Sequence, residues 1–352
     1  MIKLILTTLS FCFFVGAKEK IFQIEHNIFT VARNLVDYKS VFEKPFLDHL
    51  DRADFQEHWL DLGAGLGYAL GQYAVKTEND VQNTCRNHMR LTAVSASKVN
   101  WLSSWSMYDL EGLIDLDYWV RIRKIEKALS RVHFMEGHLI EDYCNDENEI
   151  KEGIDCHTFN YRNLAGPRGV HLLTDYYGAL TYSNRIDQVL ASIGRILAGR
   201  DSEIFAVGNI PCITKTDSRE CSTERDFWNF FDYLEIAGFS AESGEEVFSS
   251  SNLGLRLARS IRNIYMPIIF LVDQFFMKGT RPFYLQSGPF KYHLRINEEA
   301  LARGYLLIPK LELLYDEAYL TPTQLRVFKI IPGEHIQVPL FGVLALANQA
   351  YF

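Results

Sequence analysis

The sequence predicts an α/β fold: a mostly parallel seven-stranded sheet with helices on both faces, N-terminal helices ahead of it and a C-terminal extension behind. Three observations carry that prediction. Residues 59–70, WLDLGAGLGYAL, run from a short apolar strand with one acid, through Gly63, Gly65 and Gly67, into the start of a helix. Strand, tight glycine turn and helix in this order build a ligand cradle, because glycine permits unusual φ and close backbone approach, and free helix amides face whatever lies over the turn. Residues 169–208 then give strand, acid, loop, helix, glycine turn and strand. Finally, residues 90–95 and 132–136 are short β-branched and apolar runs of the kind that strands buried on both faces require.

In chain order, residues 1–17 read as a secretion signal. Lys3 supplies the charge, Leu4 to Val15 is mostly apolar, and Val15-Gly16-Ala17 offers small residues before Lys18 and Glu19. The alternative is an apolar element kept in a cytoplasmic protein. Residues 18–56 read as a helical cap, with Ile28, Val31, Leu35, Tyr38, Phe42 and Phe46 at three- and four-residue steps and Pro45 restarting the helix. Residues 57–260 hold the main domain. Its first strand is 58–62, its first helix 67–76, its second strand 90–95. A helix with a basic face follows from Tyr118 to Ser130, then a third strand over 132–136.

Asp142 to Gly153 is an acidic surface loop without the acid order and glycine of a calcium-binding EF-hand. A turn with Gly166-Pro167 precedes a fourth strand at 169–175. A helix over 184–197, with Gly199 as its C-cap, leads to a fifth strand at 203–208. The helix 224–237 ends at Gly238, and Phe248 with Leu253–Arg259 supplies a final pair of strands. Residues 261–352 form an extension or small subdomain. Within it Ile264 to Phe276 is too short and interrupted to span a membrane, so none is expected once the signal is removed.

A net charge of -8 with no basic stripe disfavours nucleic acid as a partner. Five cysteines lie outside the signal. Cys144 could pair with Cys156 and Cys212 with Cys221, leaving one over; the alternative is free thiols in a reducing compartment. No CxxC or Cys/His spacing suggests a zinc site, and no metal is expected.

The stretch Asp61-Leu62-Gly63-Ala64-Gly65-Leu66-Gly67 resembles motif I of the class I S-adenosylmethionine-dependent methyltransferases, a Rossmann-like family. Its GxGxG spacing differs from the dinucleotide GxGxxG, with Tyr68 in the sixth position, which counts against a nucleotide-dependent oxidoreductase. The arrangement over 169–208 resembles the family's motifs IV and V, and the resemblance covers about residues 25–260.

The resemblance implies S-adenosyl-L-methionine as cofactor. It places Asp61, Gly63, Gly65 and Gly67 against the methionine part, Ser95 on the ribose side, Gly137 and His138 near the adenine, and Asp175, Tyr176 and Tyr177 at the methyl acceptor. Two positions depart from the family pattern. Ser95-Ala96-Ser97 lacks the usual carboxylate, and serine cannot offer its bidentate acceptor. His138 stands where an acid is common, and an ordinary strand-end histidine is its alternative. For Asp175 and the tyrosines the alternative is local turn capping and packing.

Methyl transfer needs in-line placement of donor and acceptor, and a base where the acceptor carries a proton. No asparagine-proline-proline-tyrosine phrase and no metal triad specify the acceptor, so a small molecule or a protein side chain both stand. The expected function is a methyltransferase. Its competitor is a catalytically degenerate binding or scaffold protein on the same fold. Export is in tension with a methyl donor made in the cytosol.

Overall fold

The computed structural model describes residues 21–24, 28–31, 33–54, 56–81, 89–95, 118–136, 140, 164–215, 224–246, 290–318 and 324–340. The N-terminal segment departs from the expected all-helical cap. Strands β1 (Ile21–Ile24) and β2 (Ile28–Val31) pair antiparallel, with Ile21 opposite Val31. Their β-branched and aromatic content favours a pleated strand over a helix. Helix α1 (Leu35–Arg52) follows. Asn34 caps it reciprocally: its side chain accepts from the Asp37 amide at 2.9 Å, and the Asp37 carboxylate accepts from the Asn34 amide at 2.8 Å. Glu43, at φ 56°, breaks the helix two residues before Pro45, the restart that the proline predicts.

The main sheet comprises β3 (His58–Leu62), β4 (Arg90–Ser95), β5 (Val132–Glu136), β6 (Leu172–Tyr176), β7 (Glu203–Gly208), β9 (Phe239–Glu246) and β10 (Phe290–Ile296). Its order is β5-β4-β3-β6-β7-β10-β9, parallel through β7, with β10 antiparallel to both neighbours. The connecting helices are α2 (Tyr68–Val81), α3 (Tyr118–Leu129), the short α4 (Ala179–Tyr182), α5 (Ile186–Ile196), α6 (Glu224–Ala237) and α7 (Glu298–Arg303).

The strand period of two sorts side chains onto two faces. Trp59, Leu172, Phe205 and Val207 pack with Tyr38, Phe42 and Phe46 of α1 and with α2 and α3. Leu60, Leu62, Leu173, Ile204 and Ala206 pack with α5 and α6 on the other face. Trp59, Phe46 and Phe205 are each almost wholly buried, and removing such a side chain from water contributes about 1.5–3 kcal/mol.

The seventh strand is the largest correction. It is β10, so the sheet runs on to Ile296, past residue 260. The strands expected at Phe248 and Leu253–Arg259, and the apolar run 264–276, lie outside the described residues. The signal for β10 is present in FKYHLRI, where Phe290, Tyr292, Leu294 and Ile296 alternate and are all buried.

A second sheet of three strands joins β11 (Tyr305–Ala318), β12 (Gln324–Pro339) and β8 (Cys212–Thr214). Pro332-Gly333 lies in a bulge within β12, where the register against β11 shifts between Pro309 and Leu311. Leu306, Ile308, Phe328 and Val338 of this hairpin join the core of α5 and α6. Gly194 of α5 leaves room for Leu306, whose Cδ1 a Cβ would strike. Helix α5 ends at Leu197 in extended conformation, two residues short of the glycine expected as its cap. Cys212 is disulfide-bonded; Cys144, Cys156 and Cys221 fall outside the described residues. Among the described residues no helix is long and apolar enough to cross a membrane.

Candidate functional site

Successive crossovers run from β3 through β4 to β5 in one direction and from β6 to β7 in the other, so the topology reverses between β3 and β6. In open parallel sheets, ligands bind outside the carboxyl ends of the strands at such a point. The strand ends there present Asp61 and Leu62 of β3, Ser95 of β4 and Asp175 and Tyr176 of β6.

The glycine turn joins β3 to α2. Gly63, Gly65 and Gly67 have φ of 72°, 56° and 68°, a left-handed region that costs other residues energy. The amides of Gly63 and Ala64 both donate to the Val94 carbonyl at 3.0 Å, and the Gly67 amide to Ala64 at 2.8 Å. A Cβ on Gly63 would sit 2.5 Å from Gly178 Cα, and one on Gly178 would strike the Leu62 carbonyl. The turn is therefore pressed directly against the loop after β6, and both sides of that contact must be glycine.

Asp61 is fully buried. Tyr38 Oη of α1 donates to its Oδ2 at 2.8 Å and Thr174 Oγ1 to its Oδ1 at 2.7 Å, while Trp59 Nε1 donates to Thr174 at 2.9 Å. Burial pushes its pKa up to about 7, although both hydrogen bonds and the Arg33 charge pull the other way. Each carboxylate oxygen thus accepts one hydrogen bond from a side chain among the described residues.

Asp175 is paired in register with Leu62, and Asp61 with Thr174, so the pleat sends the two carboxylates to opposite faces of the sheet. Asp175 accepts from the Gly178 amide at 2.5 Å and the Leu180 amide at 2.7 Å. Burial again raises it to about 7, against those two amides. This is the turn-capping arrangement, with both oxygens engaged by the start of α4. Tyr176 lies 5.4 Å from Tyr38 and 5.7 Å from Tyr177, ring to ring. Tyr177 adopts φ 53°, the only non-glycine residue besides Glu43 to do so among the described residues.

The fold is Rossmann-like. Strand order and the glycine turn at the switch point together establish it. No family model and no curated protein sequence matches the chain. Among solved structures, it is similar to the TehB-like SAM-dependent methyltransferase from Corynebacterium glutamicum, at 12% identity and TM-score 0.31, over 72% of this chain and 86% of that one. It is also similar to the 1,6-didemethyltoxoflavin-N1-methyltransferase of Burkholderia thailandensis with bound S-adenosylhomocysteine, at 12% identity and TM-score 0.31, over 81% and 97%. A third, LepI in complex with SAM, matches at 9% identity and TM-score 0.31 over 72% of this chain, which spans 47% of LepI. With scores this low these likenesses carry no argument, and the Rossmann-like assignment rests on the strand order and the glycine turn.

The switch point brings together Asp61, the three glycines and Tyr176, linked through Tyr38, and sets Ser95, 4% exposed, at the neighbouring strand end. Gly137 and His138 lie outside the described residues. Asp175 joins the site through the backbone of its loop rather than by facing Asp61. Sequence reasoning overlooked Tyr38, Thr174, Gly178 and Arg33. Tyr38 was legible only as one apolar position of α1, and no pattern in the sequence marks Arg33. Among the described residues, no cluster of three or more His, Cys, Asp or Glu side chains is arranged to hold a metal ion.

Proposed function

We propose that the protein is an S-adenosylmethionine-dependent methyltransferase acting on a small-molecule or protein acceptor. The observation that carries this reading is the left-handed glycine turn at the switch point, with Asp61 buried at its entrance. The residues fit such a ligand: glycine at 63, 65 and 67 lets a nucleoside thioether approach the backbone of the turn, and each Asp61 oxygen has a second lone pair. Gly63, Gly65 and Gly67 would line the methionine part, and Ser95 would reach the ribose side with one hydroxyl in place of a carboxylate. The sulfonium supplies an electrophilic methyl group. The protein's part is then to align an acceptor and exclude water. Tyr176 and Tyr177 would pack against that acceptor, and Asp175, which accepts from the Gly178 and Leu180 amides, would hold their loop.

The experiment is a calorimetric titration of the purified chain with S-adenosylhomocysteine. Saturable binding at micromolar concentration is expected, weakened at least about tenfold in Gly63→Ala, because its Cβ meets Gly178. No heat of binding in the wild type would sink the reading.

A second reading, a binding protein of the same fold without catalysis, is favoured by Ser95 and by the full engagement of Asp175 by backbone amides. Binding of the cofactor product without methyl transfer to any screened acceptor would select it. Export is our further reading for this chain, supported by the N-terminal apolar run and by the Cys212 disulfide, since disulfides persist in oxidising compartments. Intact mass of protein from the native host should then begin at Lys18; a mass that retains Met1 to Ala17 would count against it.

A further inference from the structure

Cys212 opens β8, the short strand that follows β7 after three residues. It is 5% exposed and disulfide-bonded, to a cysteine outside the described residues. Strand β8 runs parallel to β12, with Cys212 opposite Val327, Ile213 opposite Phe328 and Thr214 opposite Lys329. The strand period sends alternate side chains to opposite sides. Ile213 and Phe328 pack into the core shared with α5 and α6. Cys212 belongs to a separate small cluster, with Val327 and the half-buried Leu314. Among the described residues that side of β8 has little apolar packing, so the covalent bond carries a large share of its anchorage.

This strand reaches the glycine turn through one residue. Arg326 immediately precedes the three β12 residues that pair with β8, and it is 1% exposed. Its Nη2 donates to the Leu180 carbonyl at 3.0 Å and its Nη1 to the Ser183 carbonyl, at the closing end of α4. Asp175 holds the opening end through the amides of Gly178 and Leu180. Gly178 in turn is the residue against which Gly63 is pressed. Contiguous contacts therefore join β8, β12, Arg326, α4 and the glycine turn.

We infer that the Cys212 disulfide is a thiol-sensitive lock on the glycine-turn site. Oxidised, it fixes β8 and with it the position of Arg326 on α4. Reduced, it lets β8 and β12 shift, Arg326 loses its carbonyls, and the turn loses the surface that backs it. The chemistry is thiol–disulfide exchange. A thiolate of a small dithiol attacks one sulfur of the bond and frees the other as a thiolate. The reagent's second thiolate then closes on the mixed disulfide and frees the remaining cysteine. The dithiol leaves as a cyclic disulfide, and its two electrons and two protons end on the two cysteines. In a reducing compartment the site would stay loose, and it would tighten where disulfides persist, as the export reading requires.

The test uses the full-length chain, oxidised and then fully reduced with dithiothreitol. Alkylation and peptide mapping confirm that Cys212 has become a thiol. S-Adenosylhomocysteine is titrated into both forms, a readout that rests on the proposed ligand. Amide hydrogen exchange over 179–183 gives a second readout that does not. Reduction is expected to weaken the ligand about fivefold or more. It should also speed exchange of the Tyr182 and Ser183 amides, which donate to Gly178 and Ala179 within α4. Cys212→Ser should reproduce both effects without reductant and respond to it no further, which separates this bond from any other disulfide. In Arg326→Met, where the carbonyl contacts are already gone, reduction should shift the affinity by less than about twofold. Unchanged affinity or unchanged exchange on reduction overturns the inference. Equal weakening in wild type and Arg326→Met overturns it too, and so does global unfolding on reduction, since each makes the bond a plain staple. If the oxidised wild type binds no ligand, the donor reading falls and exchange at α4 alone decides the lock. Should Cys212→Ser fail to fold, the comparison of wild type with Arg326→Met decides.

Discussion

Replacing Glu203 with glutamine is expected to cost about 3–5 kcal/mol of stability, the range for stripping one partner from a buried ion pair. Glu203 opens β7 and is 3% exposed. Its Oε2 accepts from His49 Nδ1 and from Arg52 Nη2 at 2.5 Å; its Oε1 accepts from Arg295 Nη2 and lies 3.5 Å from His293 Nε2. One carboxylate thus ties α1 to β10, the strand that the sequence hides best, at the pole of the sheet opposite the crevice. Burial opposes its ionisation, but the nearby His293 and the hydrogen bonds of His49 and Arg295 outweigh that and hold its pKa far below the carboxylate range. His49 is desolvated too, yet Glu203 and Glu57 raise its pKa.

The sign of the pH dependence follows. The depressed Glu203 contributes stability above the ordinary glutamate value of about 4.3, lost as pH falls through its folded value. The raised His49 contributes stability below about 6.5, lost as pH rises through its folded value. The cluster therefore contributes most between about pH 4.5 and 6.5. Asp61 and Asp175, raised to about 7, act across that window: the folded chain keeps protons that the unfolded chain releases at about pH 3.9, so their contribution falls from there to about pH 7 and is flat above it. Urea denaturation of wild type, Glu203→Gln and Glu57→Gln at pH near 5.5 and near 8 checks both points. Glu57 is 24% exposed at its side chain and 3.4 Å from His49 Nε2, so its variant should lose roughly 1 kcal/mol or less. Equal losses in the two variants would refute the buried-pair account.

The central strands were legible because each is a short apolar run set between turn signals. His58–Leu62, Arg90–Ser95, Val132–Glu136 and Glu203–Gly208 fall where the sequence places them. The glycine turn was legible because three glycines in five residues leave few other geometries. Beyond β7 the helix Glu224–Ala237 falls where the sequence places it, but the seventh strand does not. The seventh strand lies 43 residues after β9 ends at Glu246, and a nearer apolar run at 253–259 offered a simpler hairpin. Periodicity shows that FKYHLRI is a strand but not which edge it joins. The site divides in the same way. Its backbone parts were readable, because glycine and strand-end positions are local. Tyr38, Thr174 and Arg33 reach the crevice only through packing between distant segments, and local pattern carries no trace of that.

Arg326→Met should loosen the crevice from a residue that the motif-bearing part of the chain does not contain. Arg326 lies on β12, 1% exposed, and its guanidinium reaches the carbonyls of Ser183, through Nη1, and Leu180, through Nη2 at 3.0 Å. Those carbonyls close α4, whose opening amides are held by Asp175. A helix of four residues cannot sustain itself, since nucleation alone is unfavourable. Here the Asp175 carboxyl group accepts from its opening amides and the Arg326 guanidinium donates to its closing carbonyls. Gly178 stands at the start of α4 and is the surface against which Gly63 is pressed. The C-terminal hairpin therefore sets the spacing of the glycine turn through α4, which makes Arg326 a positioning residue. Methionine keeps the apolar stem but abandons both carbonyls. The expected loss is about 1.5–3 kcal/mol for the charge-assisted bonds, reduced by whatever desolvation the arginine had carried. S-Adenosylhomocysteine affinity should fall roughly tenfold or more. Lysine should recover little, because a point charge cannot fork to two carbonyls. Glu203→Gln supplies the decisive contrast: it destabilises the protein at least as much from the opposite pole, yet should leave that affinity within about twofold. If both variants weaken the ligand alike under conditions where both are folded, the effect belongs to general loosening of the sheet and the hairpin has no special hold on the site.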